Sequence, residues 1–293
     1  MKIVALLIIL LPPLNGTAAQ PADSGFSQFN FLPRGLHFSP LKANTQEART
    51  GLLKFFSNSG LKIDVGNSVD LVEYSSPGYG TRITAGIDFL AYGYSTSSEG
   101  FRLQIDALDG VFGGNLSFSK CQNSSRILSR IRILHLSGHF VDGHFFDPQT
   151  SVLIQGRFPR IFTKDFGELV GAYEHRAAWG LLFLYGGASY ATLIRPAEIR
   201  RFSYMTGFEY SNNRLIKPMF NNAVNVYFAF QLSLTGSPVY SGSNNLQAGI
   251  KFGGWGEKGI LLYVAYLDGR HLFAEYYDKR LRTSAAGIAV DVL

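Results

Sequence analysis

The stretch VNVYFAFQLSL, Val224 to Leu234, alternates without a break. Val224, Val226, Phe228, Phe230, Leu232 and Leu234 fall on one side, and Asn225, Tyr227, Ala229, Gln231 and Ser233 on the other. Successive side chains of an extended strand point to opposite faces, so this pattern makes a strand with one apolar and one polar face; a helix would scatter it. The division recurs. Ile83, Ala85, Ile87, Phe89 and Ala91 oppose Arg82, Thr84, Gly86 and Asp88, and Phe101, Leu103, Ile105 and Ala107 oppose Arg102, Gln104 and Asp106. Phe202, Tyr204, Thr206, Phe208 and Tyr210 oppose Ser203, Gly207 and Glu209, and Leu246, Ala248, Ile250 and Phe252 oppose Asn245, Gln247 and Lys251. Weaker segments lie near 49–56, 61–74, 126–139, 168–178, 180–194, 257–267 and 281–292. The total is about 12 strands, an even number of the kind found in bacterial outer-membrane barrels.

Composition agrees with an all-β chain. Aromatics make up 14% and Gly numbers 32, which suits strands and tight turns better than a helical bundle. A soluble β-sandwich and a membrane barrel both bury one face of many antiparallel strands, but with opposite sense. Asp88, Asp106, Glu209 and Lys251 stand in mid-strand on the polar faces. A dry sandwich core would penalise them heavily, whereas a barrel lumen accommodates them. Strands of about 9–14 residues are long enough to cross a bilayer at a tilt. Tyr92, Tyr94, Tyr190, Tyr210 and Trp255 lie near strand ends, where an interfacial girdle would place them. The reading is a single antiparallel transmembrane β-barrel.

The opening MKIVALLIILLPPLNGTAAQ has Lys2, an apolar run from Ile3 to Leu11 and small residues before Gln20. It reads as a secretory signal peptide over 1–19, cleaved after Ala19. Residues 20–45, with Pro21, Pro33 and Pro40, read as an irregular lead-in, and 46–293 as the barrel. Val141 to Phe166 breaks the alternation and reads as one long extracellular loop. The single Cys121 excludes an internal disulfide. A net charge of +6 without long basic runs gives no support to nucleic-acid binding in an exported chain. Outer-membrane lipids, lipopolysaccharide among them, are the expected partners, and no cofactor is expected.

Five segments resemble domain of unknown function 1207, a family of Gram-negative outer-membrane proteins. They are RILHLSGHFVDGH, LYGGASYATLIRP, SYMTGFEY, LQAGIKF and YLDGRHLFAEYYDKRLRTSAAGIAVDVL, which occur in the family's order and span most of Phe38 to Leu293. The resemblance implies a β-barrel and brings no established activity. The closing AVDVL lacks the terminal aromatic common in such barrels.

Chemistry concentrates in RIRILHLSGHFVDGH, Arg130 to His144. Strand parity puts Ile131, Ile133, His135, Ser137 and His139 on one face and Arg130, Arg132, Leu134 and Leu136 on the other. If the arginines face the lumen, His135 and Ser137 face lipid. The pair HLSG is similar to the His-x-Ser pair that outer-membrane phospholipase A and lipid A deacylase families carry on the outside of a barrel. There His135 would serve as base for Ser137, with Asp142, Asp147 or Glu174 as orienting acid and backbone amides near Gly138 as an oxyanion hole. The favoured reading is a structural or narrow pore-type barrel in which these residues are an interfacial or lumenal polar cluster, hydrogen-bonded or hydrated; the acyl hydrolase is the alternative. His135 and His139 lie about 13 Å apart on a strand, too far to share a metal ion. His144 with Asp142 or Asp147 is a weaker metal candidate, and no metal site is expected; His37, His175 and His271 read as structural. Arg82, Asp88, Arg102, Asp106, Glu209 and Lys251 would line the lumen, either as a solute path or as pairs that plug it. Gly-rich LYGGASY and KFGGWGEKG lack the strand–loop–helix setting of a phosphate loop. The expected behaviour is partition with outer membranes and faster migration of unboiled protein on gels; soluble periplasmic protein would contradict the barrel.

Overall fold

A computed structural model of the chain describes residues 27–58, 60–98, 102–140 and 162–292, without the side chains of 97, 98, 102, 103 and 140. Residues 1–19, read above as a signal peptide, and Asp142, His144 and Asp147 lie outside these residues. Thirteen strands form one antiparallel sheet: β1 (Gln28–Phe31), β2 (Thr50–Phe55), β3 (Leu61–Ser76), β4 (Thr81–Ser98), β5 (Arg102–Gln122), β6 (Ser125–Phe140), β7 (Phe162–Ala177), β8 (Gly180–Arg195), β9 (Phe202–Asn212), β10 (Val224–Gly236), β11 (Tyr240–Phe252), β12 (Gly259–Arg270) and β13 (Arg280–Asp291). Each of β2 to β13 pairs with its neighbour in sequence, and β2 pairs with β13, which closes a barrel of 12 strands. β1 pairs with the far half of β3, on the same edge as β2. β1 and β2 are thus two pieces of one interrupted strand.

The faces follow the sequence pattern. Asn225, Gln231, Asn245, Gln247, Lys251 and Glu209 are buried in the lumen, while Ile87, Phe89, Leu116, Ile131, Ile133, Leu169 and Val264 are exposed on the outer wall. Charge inside and bare hydrocarbon outside is the reverse of a water-soluble barrel and the arrangement a lipid-embedded one requires. Outward aromatics collect at both ends. Tyr74, Tyr173, Trp179 and Tyr210 mark the end with the two-residue turns after β5 and β7; Tyr190, Phe202, Tyr204 and Tyr240 mark the other. Trp179 stacks on Tyr210 at 6.0 Å and Tyr190 meets Phe202 at 4.9 Å. Three girdle assignments are corrected: Tyr92 and Tyr94 continue the inward parity of Asp88 and pack in the lumen, and Trp255 folds in against Tyr227. A register shift at Tyr94/Ser95 also turns Ala107 inward, where the alternation alone puts it outside.

The lead-in is not peripheral. After β1, Leu32 takes a left-handed conformation (φ 51°), unusual for a non-glycine residue, and the chain leaves the wall for the lumen. It re-enters at β2. This strap, Leu32 to Arg49, crosses the barrel without regular structure, so side chains anchor it. The amide of His37 donates to Asp70 Oδ2 (2.7 Å), its ring Nε2 meets Ser119 Oγ (2.6 Å) and its Nδ1 meets Thr84 Oγ1 (3.3 Å). The amide of Lys42 donates to Glu209 Oε1 (2.5 Å), and its ammonium pairs with Asp291 (3.1 Å). Glu47, with 0% exposure, accepts from Arg130 Nη1 (3.1 Å) and Arg132 Nη1 (3.3 Å). Arg130 also lies over the Phe38 ring at 4.4 Å.

Burial works to raise the Glu47 carboxyl, but Arg130 and Arg132 outweigh it and hold the group below the usual range. Burial, with Arg82 and Arg126 nearby, pushes His37 down from 6.5 to about 3. An undocked His37 therefore takes up a proton that the docked one refuses between those values, so strap docking weakens as pH falls from 6.5 toward 3. Trp255, 5.7 Å from the Lys42 ammonium, reports this. In a Trp179→Phe background its emission should shift progressively below pH 6.5, and His37→Gln should flatten the upper part of that profile. An emission independent of pH down to 3 would contradict the docked, neutral His37.

Candidate functional site

Arg130 and Arg132 face the lumen, where Arg132 Nε donates to Glu168 Oε1 of β7 at 2.8 Å. Their parity fixes the whole of β6. Ile131, Ile133, His135, Ser137 and His139 therefore face outward, as the alternation predicts, and Ile133 is 74% exposed. On this outer face His135 stands opposite Phe112 of β5 and Asp165 of β7; Ser137 stands opposite Gly110 and Thr163.

His135 Nδ1 meets Asp165 Oδ1 at 2.5 Å, with the two side chains 34% and 46% exposed. A carboxylate at Nδ1 accepts that nitrogen's proton in a hydrogen bond, which leaves Nε2 as the basic ring nitrogen. The Phe112 ring packs 5.0 Å from the imidazole and limits its rotation. Asp165 sits where β7 and β8 lose register by one residue, between Asp165 and Phe166, and Thr192 Oγ1 donates to its carbonyl at 3.2 Å. Such bulges re-aim side chains at barrel rims. Gly110 leaves the space beside Ser137 open: a Cβ there would still be 3.8 Å from Ser137 Oγ. The group lies just past Tyr190, at the level of Leu193, and so at the rim of one aromatic girdle.

Gly138 has a different reason to be glycine. It faces inward against the β12–β13 connection, and a Cβ would fall 2.6 Å from that of Ala274. This connection, which carries a short 3₁₀ turn over Ala274–Tyr276, folds into the lumen; the Ala274 amide donates to Asp109 Oδ2 at 2.7 Å.

The carboxylate that the structure places on His135 is that of Asp165. Asp142 and Asp147 lie outside the described residues, and Glu174 faces the lumen, paired with Arg126 at 3.0 Å. Asp165 was concealed because 141–166 reads as one loop, whereas β7 begins at Phe162. Its only signal is the pair of interleaved sets Thr163, Asp165, Gly167 and Lys164, Phe166, Glu168, neither of them apolar enough to show alternation. The backbones of Ser137 and Gly138 belong to the ladders with β5 and β7.

Asp88, Asp106, Glu209 and Lys251 are buried on the inner side of the wall, and Arg82 shares the parity of Asp88; the Arg102 side chain is not described. Arg82 Nε donates to Glu73 (2.6 Å), Asp88 accepts from Ser68 (2.6 Å), Asp106 from Thr96 (2.6 Å), and Lys251 pairs with Asp291 (2.5 Å). His139 is exposed opposite Leu108, and His175 meets Ser125 Oγ at 2.9 Å at the other end of the wall. His271 packs 4.7 Å from Tyr276. Among the described residues no three His, Cys, Asp or Glu side chains gather as metal ligands.

No protein-family model matches the chain, and no curated protein does. Two solved structures are distantly similar. The β domain of the Bordetella autotransporter BrkA is 12% identical, with 83% of this chain and 96% of that chain covered and a TM-score of 0.43. A bacterial polysaccharide outer membrane secretin is 11% identical over the same shares, with a TM-score of 0.34. At such distances the description of the barrel rests on its own strand pairing.

A hydrogen-bonded Nδ1 proton on His135 should give a far-downfield proton resonance in detergent micelles. It should survive Ser137→Ala and vanish in Asp165→Ala; a native spectrum without it would contradict the His135–Asp165 bond.

Proposed function

We propose that the protein is an outer-membrane β-barrel that hydrolyses acyl esters of membrane lipids on its outer wall. Ser137 is the nucleophile, His135 the general base and Asp165 the positioning acid. The observation that carries the reading is the His135–Asp165 bond on the lipid-side face, with Ser137 two residues along the same face. Polar and charged groups cost free energy at a lipid boundary, and this chain houses most of its ion pairs in the lumen; the outward Asp268–Arg282 pair includes no imidazole. The lumen itself is occupied by the strap, which disfavours an open pore as the resting function.

In the reaction, Ser137 Oγ attacks the ester carbonyl carbon while His135 Nε2 takes its proton. Asp165 keeps the proton on Nδ1 and stabilises the imidazolium that forms. As the tetrahedral intermediate collapses, His135 returns the proton to the leaving alcohol oxygen, and the acyl group stays on Ser137. Water, deprotonated by the same imidazole, then releases the fatty acid. We assign the Thr163 hydroxyl, opposite Ser137 on the same outward face, as a donor to the oxyanion. A substrate at the girdle rim keeps its acyl chains against Ile131 and Ile133 and its head group in water. Kinship with domain of unknown function 1207 is likewise a proposal, resting on the five segments quoted above.

Refolded protein should release fatty acid from phospholipid micelles or from lipopolysaccharide, and the two assays identify the source of the ester. Ser137→Ala and His135→Ala should each lower the rate by roughly 10³-fold or more, and Asp165→Asn by a smaller factor. Folded protein inactive on both lipids, or activity that persists in Ser137→Ala, would reject the hydrolase.

A further inference from the structure

Among the described residues, two cavities flank the strap within the lumen. At the end near the Tyr190 girdle, a space of about 230 Å³ is bounded by Asn44, Thr45 and Gln46 of the strap and by Glu168, Ser189 and Gln231 of the wall. At the opposite end, a larger one of about 520 Å³ meets Leu36 and Ser39 of the strap and Arg126, Glu174 and Asn225 of the wall. Both run along the same side, β7 to β10. The inward-folded β12–β13 connection packs against Tyr92, Tyr94 and Gly138 of β4 and β6 and borders the smaller cavity through His271, Phe273 and Tyr277. Between the two cavities lies an apolar cluster, beside the buried Glu47, Arg130, Arg132 and Glu168 group. Phe38 and Leu41 of the strap pack against Leu128, Val170, Phe183 and Tyr185 of the wall, with Phe38 edge-on to Phe183 at 5.9 Å.

We propose that Phe38 and Leu41 are the gate of a closed conduit through the barrel, and that the strap is the movable element carrying them, admitting small hydrophilic solutes when displaced. Three features support this beyond the cavities. The hydrogen-bonded backbone ring of β2 to β13 is complete without the strap. The strap is longer than its wall position demands: β1 ends opposite Val72 and β2 starts pairing at Asp64, so seven residues of β3, Val65 to Leu71, face a gap that Leu32 to Thr50 spans. Its anchors are side-chain hydrogen bonds and ion pairs through His37, Lys42 and Glu47, which water and salt can replace. With the strap withdrawn, the surface left behind carries Arg130, Arg132, Glu168, Glu209, Gln231 and Asn245, a lining that water wets. An apolar constriction in such a passage excludes water and ions until it is moved.

The test is conductance of the full-length protein in planar bilayers bathed in potassium chloride. Native protein should be closed nearly all the time. Phe38→Ala/Leu41→Ala should raise open probability at least tenfold, and replacing Leu32–Arg49 with a seven-residue Gly/Ser linker should give a steady open conductance. Heat-shifted gel mobility checks folding of each variant. Glu47→Gln keeps the shape of the anchor, and it should raise the frequency of openings of native protein further as salt increases. Folded variants that all stay closed would overturn the conduit. A native barrel that conducts as steadily as the linker variant would overturn the gate. Neither outcome bears on Ser137, whose hydrolysis is assayed separately.

Discussion

Arg130 and Arg132, side by side in the lumen with Glu47 and Glu168, organise the rest of the molecule. Two arginines two residues apart on β6 cannot both face lipid without a large desolvation cost, so their inward direction sets the parity of the strand. That parity sends Ile131 and Ile133 to the outer wall, and with them His135 and Ser137. The same pair of guanidinium groups needs more than the one carboxylate that β7 provides in Glu168. Glu47 supplies the second, and it can do so only because the chain leaves the wall after β1 and crosses the lumen. One buried cluster therefore decides both which face carries the candidate chemistry and what fills the barrel. Such clusters contribute less to stability than their contacts suggest, since each charge must first be dehydrated, but removing one partner strands the others.

The outer site and the inner strap are separate consequences of this arrangement. Outside, the β7–β8 irregularity at Asp165 and the glycine at 110 combine with β6 parity to set an acid, an imidazole and an open hydroxyl on one face. Inside, the strap uses polar anchors at His37, Lys42 and Glu47 and packs Phe38 and Leu41 against Leu128, Val170 and Phe183 of the wall. A barrel can thus carry membrane-side chemistry on its wall while its lumen stays shut.

Most of the wall was legible in the sequence, because alternation is a direct print of the pleat. β10 and β11 have the faces their residues imply, although β11 begins at Tyr240, five residues before the alternation shows, and even the weaker segments near 126–139 and 180–194 became β6 and β8. Errors arose where parity was locally broken or ignored. Tyr92 and Tyr94 follow Asp88 by even steps and had to face inward, whatever their nearness to a strand end. Ala107 was displaced by a bulge, which no periodicity announces. The strap was illegible for a deeper reason: irregular, proline-bearing chain looks the same whether it lies outside a barrel or inside it. His135 and Ser137 were found by spacing alone, but Asp165 comes from another strand, and cross-strand register is not written in either segment.

The central claim is that β6 turns its arginines to the lumen and His135 to the membrane side. Spin labels placed singly along β6 at 130 to 137, in a Cys121→Ser background in lipid bilayers, test it through their collision rates with oxygen and with a water-soluble nickel complex. The account predicts high oxygen access at 131 and 133, low access at 130, 132, 134 and 136, and a rise in nickel access from 133 to 135 and 137 as the strand reaches the girdle rim. Oxygen access peaking at the even positions, or no alternation at all, would contradict it.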